Sequence, residues 1–166
     1  MMLGLTLAQF TLLHVAISLI GILAGVAFCA AAARGYWLGF TNGVFLLFTV
    51  LTSATGFLFP PKPIGPPFIF GVVSLVLLAI ALFALLGKGG AGRWRGVYFA
   101  AALIAQWLNM VVLIVQSFQK IPALHALAPL GNEPPVLGAQ IVLLLAVLYT
   151  AWATIWKRRT AVGAAG

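Results

Sequence analysis

The groups in this chain able to move a proton near neutral pH, attack a substrate or hold a metal ion are few: His14, His125, Glu133 and Cys29. Acid–base catalysis by paired carboxylates needs two of them, and the whole chain of 166 residues holds one acidic residue, Glu133. A zinc centre wants three or four converging ligands. His14, His125, Cys29 and Glu133 do not suit one, because Cys29 falls near the far end of the apolar run that carries His14. Gly87-Lys88-Gly89-Gly90 lacks the rest of a phosphate-cradling loop and reads as a flexible connection. The sequence therefore predicts no catalytic residues and no metal site. Two histidines can ligate a haem between them, but His125 would have to fold back onto the segment of His14.

Amides and hydroxyls are more plentiful, and their spacing is regular. Gln106, Asn109, Gln116 and Lys120 fall within an arc of about 80° when wound as a helix, with Leu113 the one apolar member. Asn42, Thr49, Thr52, Ser53 and Gly56 fall within about 100°, and His14, Ser18, Gly21, Gly25 and Cys29 within a similar arc. Gln140 and Thr154 stand on a further segment, and Ser74 on another. Such stripes bind helices together at roughly 0.6 to 2 kcal/mol per hydrogen bond, or they line a ligand site. Gly21-x-x-x-Gly25 and Gly39-x-x-x-Gly43 are small-x-x-x-small patterns that let two helix backbones approach closely.

The elements carrying these residues are set by composition. Apolar residues make up 64% and charged residues 6%, with a mean hydropathy of +1.19. A soluble domain carries about 25% charge, so water is not the main solvent. The net charge of +8 does not point to nucleic acid, because Lys and Arg sit in short clusters between long apolar runs. Runs of about 20 apolar residues span a bilayer as helices. Five are present, at about 8–33, 37–59, 68–86, 97–119 and 134–156. The prolines of 60–67 require a non-helical turn. The stretch 87–96 reads as a glycine-rich basic loop, and the Gly/Ala tail after Arg159 as disordered. The fold class expected is all-α, a single domain over 1–166 forming a bundle of five transmembrane helices. No charge precedes the first run and Arg34 follows it, which favours a retained helix over a cleaved signal.

Charge then orients the bundle. Arg34, Lys88, Arg93, Arg95 and Lys157-Arg158-Arg159 share one side of a five-span arrangement, and Lys62 and Lys120 the other. The positive-inside rule puts the N-terminus outside and the C-terminus in the cytoplasm. Tyr36, Trp37, Trp94, Tyr98, Trp152 and Trp156 would line the inner interface, where amphipathic rings belong. At about 1.5 Å per residue, His14, Thr55, Gln116 and Gln140 lie roughly 9 to 10 Å from mid-span towards the outer face, and Thr52 roughly 6 Å. The inner half holds mainly Asn42, Gln106 and Thr154. A polar site in the outer half is thus expected from His14, Thr52, Thr55, Asn109, Gln116, Lys120, His125, Glu133 and Gln140. Simpler roles stand beside it. On that reading His14 is simply hydrogen-bonded and His125 solvated, while Glu133, ahead of Pro134-Pro135, suits the N-terminal cap of the last helix.

Gln116, Lys120-Ile121-Pro122, His125, Pro129, Glu133-Pro134-Pro135 and Gln140, together with Leu51-Thr52-Ser53-Ala54-Thr55-Gly56-Phe57, resemble a family of small multi-pass bacterial membrane proteins. That resemblance implies a bacterial inner (cytoplasmic) membrane and no particular activity. The leading expectation is a non-enzymatic accessory or ligand-binding protein with its site facing outward. One alternative is a redox component associated with quinone or haem, with Trp107 lining a slot. Another is a small oligomeric transporter or channel. Expected partners are the lipid bilayer, other membrane subunits, or a second copy through Gly21/Gly25, and not nucleic acid.

Overall fold

The computed structural model describes residues 4–59 and 65–156. Expectations for the turn at 60–64 with its Lys62, for Lys157-Arg158-Arg159 and for the tail fall outside these residues. The described chain is all-helical, with five helices long and apolar enough to cross a membrane.

Helix α1 spans Leu7–Arg34. Thr6 and Gln9 close a capping box: the Thr6 hydroxyl accepts from the Gln9 backbone N–H, and the Gln9 side chain accepts from the Thr6 N–H. Gly35 ends the helix at φ 106°, a left-handed conformation that glycine adopts without steric cost. Its N–H reaches the carbonyl of Ala32, and that of Tyr36 the carbonyl of Ala31, so the last carbonyls are satisfied. Helix α2 spans Gly39–Gly56, shorter at both ends than the apolar run suggests. The turn after Arg34 uses up Tyr36 to Leu38, and Phe57 to Phe59 unwind before a proline, which disfavours helical geometry in the residue preceding it.

Helix α3 spans Pro66–Leu82 and continues as a wider π-helical turn over Phe83–Gly87. Pro66 and Pro67 are inside the helix, contrary to the expected turn, because first-turn N–H groups have no intrahelical acceptor and proline loses nothing there. Helix α4 spans Arg93–Lys120 and starts four residues before the expected position. The basic loop is therefore shorter, and Gly89, Gly90 and Gly92 make its turn at positive φ. A short α5, Pro122–His125, interrupts the connection. Helix α6 spans Pro134–Ala151 and passes into a π-helical turn, Trp152–Trp156.

Helix α4 is the axis: it touches α1, α2, α3, α5 and α6, while α3 and α6 share no contact among the described residues. The others form an open ring around it, from α6 through α1 and α2 to α3, leaving one face of α4 uncovered between α3 and α6. The core is aromatic towards the Arg34 end. Phe28 stacks on Phe99 at 6.0 Å, and Phe45 and Tyr98 pack around the same ring. Outward-facing residues such as Leu12, Leu23, Val142 and Leu145 are exposed, as expected of helices whose outer solvent is hydrocarbon.

Candidate functional site

Two polar regions separate along the bundle. The first is interior. Asn42 of α2 and Tyr98 of α4 are 3% and 1% exposed, and the Tyr98 hydroxyl donates to Asn42 Oδ1. A buried tyrosine needs such a partner, and the Tyr98 ring faces the interior of the bundle. The sequence did carry a signal: Tyr98 stands 11 positions before Asn109, about 20° away on a helical wheel, so it continues the α4 stripe. Further in, Gln106 Nε2 donates to the Ile22 carbonyl at 3.0 Å. The carboxamide fits because Gly25 has no side chain: a Cβ there would stand 2.3 Å from Gln106 Oε1 and 2.8 Å from Phe45. One turn away, a Cβ on Gly21 would meet Phe48 and Thr49 at 3.2 to 3.3 Å. The Gly21-x-x-x-Gly25 notch, where a second copy was expected, is filled from within the chain.

The second region lies at the His14 end. His14 Nδ1 is 2.7 Å from Thr55 Oγ1, across α1 and α2. The Thr55 hydroxyl also lies 2.7 Å from the Leu51 carbonyl, and Thr52 Oγ1 bonds the Phe48 carbonyl at 2.8 Å. A hydroxyl has one proton. The assignment satisfying both Thr55 bonds sends that proton to Leu51, so His14 donates from Nδ1 and keeps Nε2 as an acceptor. Nε2 has no partner among the described residues. Phe59 meets the imidazole edge-on at 5.1 Å and Phe10 meets Phe59 at 5.0 Å, so the ring is half-buried against aromatic walls.

Of the nine expected site residues, the structure joins His14 and Thr55 by a side-chain bond and stands Thr52 one turn from Thr55. No hydrogen bond joins the other six to these three among the described residues. Asn109 and Gln140 are half-buried and make no side-chain hydrogen bond there. Gln116 and Lys120 are exposed on the last turns of α4, and His125 is exposed on α5. Glu133 occupies the N-cap position of α6 but does not cap it with its side chain. Pro134 and Pro135 have no N–H, and the next, on Val136, already bonds the Glu133 carbonyl at 3.0 Å. The carboxylate turns back instead and accepts from the N–H of Leu130 at 2.7 Å and of Asn132 at 2.9 Å. Those bonds, Leu130 first, hold its pKa below the usual carboxylate range.

The sequence places most polar groups in one half, but burial does not follow that division. Among the described residues the deeply buried polar ones are Asn42, Thr49, Ser53, Ser74, Gln106 and Thr154, and none belongs to the expected site. Three buried atoms lack a hydrogen-bond partner among the described residues: Thr49 Oγ1, Gln106 Oε1 and Trp107 Nε1. No group of three metal-ligating side chains occurs among the described residues. Comparison of the chain with protein-family models, curated proteins and solved structures gives no match.

Proposed function

We propose that this chain is a multi-pass protein of a bacterial cytoplasmic membrane, with its N-terminus outside, that works by binding a partner subunit or small polar ligand at its His14 end. One observation carries this reading. His14 is fixed by Thr55 and aromatic walls while its second ring nitrogen stays available as an acceptor. Gln116, Lys120 and His125 are exposed at the same end, so they suit an interface more than an enclosed pocket. Chemistry is disfavoured on residue grounds: the one carboxylate is held by backbone N–H groups of its own turn.

Purification in mild detergent, followed by mass analysis of whatever travels with the chain, tests this. A stoichiometric companion is expected. A chain that runs alone and turns over a substrate would overturn the proposal.

A redox reading has one observation in its favour, the buried and unpartnered indole N–H of Trp107, a donor suited to a quinone oxygen. A visible spectrum and solvent extraction decide it. A colourless protein without extractable quinone removes it.

A further inference from the structure

The face of α4 left open between α3 and α6 is not plain. At the Arg34 end it forms a cleft of about 490 Å³ lined by Arg93, Trp94, Val97 and Ala100 of α4 and by Ile155 and Trp156. Trp94, which lines the cleft, gathers charge: Lys88 Nζ, from the loop before α4 and outside the lining residues, lies 5.7 Å from its ring centroid and Arg93 Cζ 5.8 Å, while Phe83 packs edge-on against the same ring at 5.6 Å. Lys88 also stands 5.5 Å over the ring of Phe83. Two cations are thus held around one indole, and no side-chain carboxylate is available to compensate them. The only acidic residue of the chain is Glu133, at the opposite end.

We infer that this cleft binds an anionic phospholipid, its phosphate between Lys88 and Arg93 and an acyl chain along the open face of α4. Charge complementarity selects the headgroup, since basic pockets between transmembrane helices are where anionic lipids are recognised. Depth selects the tail. Arg93, Val97, Ala100 and Ile104 recur at helical spacing on one face, and Ala100 and Ile104 are exposed. From Arg93 to Ile104 the helix rises about 16 Å, half of a hydrocarbon core about 30 Å thick. Trp156, 61% exposed beside the cleft, suits the headgroup level. A second copy does not fit, because it would bring its own Lys88 and Arg93 and no carboxylate.

The test is lipid retention by the full chain purified in detergent, offered phosphatidylglycerol or phosphatidylcholine and read by native mass spectrometry. Phosphatidylglycerol should be retained and phosphatidylcholine not. Lys88→Gln with Arg93→Gln should lose retention about 30-fold, about 5-fold per cation removed. Arg34→Gln, at the same end but outside the cleft, should keep it. Equal retention of both lipids, or an equal loss in Arg34→Gln, would overturn the inference. Should the double variant not fold, the unmodified protein still decides: brominated phosphatidylglycerol must quench tryptophan emission more than brominated phosphatidylcholine at equal content, and equal quenching rejects the site.

Discussion

Asn42 and His14 stand on adjoining helices at opposite ends of the bundle, and each meets a hydroxyl, Tyr98 for the one and Thr55 for the other. Asn42 and Tyr98 are sealed between α2 and α4, and their bond ties two helices. His14 and Thr55 tie α1 to α2, yet the imidazole stays half-buried with an acceptor to spare. Polar residues of similar types therefore serve two purposes. In the interior they fix how helices pack, since an unmade bond there has no water to fall back on. At the His14 end the same chemistry leaves a group that can meet something else.

The sharpest way to break this comparison is at the glycines. Gly25→Val should destabilise the bundle by about 3 kcal/mol, through overpacking and loss of the Gln106 bond to Ile22. Gly43→Val should change stability by no more than about 0.5 kcal/mol, because a Cβ at Gly43 meets nothing within 4 Å. Thermal unfolding in detergent measures both, and equal effects would show that the interior notch is not what holds α1 in place. Next in size, Tyr98→Phe strands a buried amide and should cost about 2 kcal/mol by the same measurement. A change near zero would remove Asn42 and Tyr98 from the packing account.

The smallest effect concerns the turn at Glu133. Its carboxyl pKa is lowered in the folded state, so its contribution is present above the ordinary carboxylate range and is lost as pH falls through the lowered value. Protection of the Leu130 and Asn132 amides, measured as exchange relative to the intrinsic rate at each pH, should fall over that acid window in the native chain and stay flat in Glu133→Gln. A flat profile in both would mean the carboxylate does not order the turn.

Much of the architecture is readable from residues, and the reasons it is not all readable are specific. Five runs of apolar residues give five helices, because in hydrocarbon only a helix satisfies its own backbone. The ends are harder. Pro66 and Arg93 lie inside their helices because a first turn tolerates proline and charge, which a hydropathy reading counts as breaks. The two glycine pairs are identical as patterns, yet Gly21/Gly25 is filled by α2 and α4 while Gly43 faces open space. What stands opposite a notch is a tertiary fact. Glu133 does not cap with its side chain for a reason only half visible in the sequence: two prolines remove the first two N–H groups, and the third, on Val136, is taken by the Glu133 carbonyl. The His14 to Thr55 pairing is legible only as a shared depth; the bond itself needs the register of α1 on α2.

The most direct test of the central claim sets the two regions against each other in one experiment. His14→Ala and Gln106→Leu are purified beside the native chain in mild detergent, and the co-purifying component is identified by mass. The account expects that component to be lost from His14→Ala and kept by Gln106→Leu. Retention in His14→Ala, or loss in Gln106→Leu from a folded bundle, would contradict it.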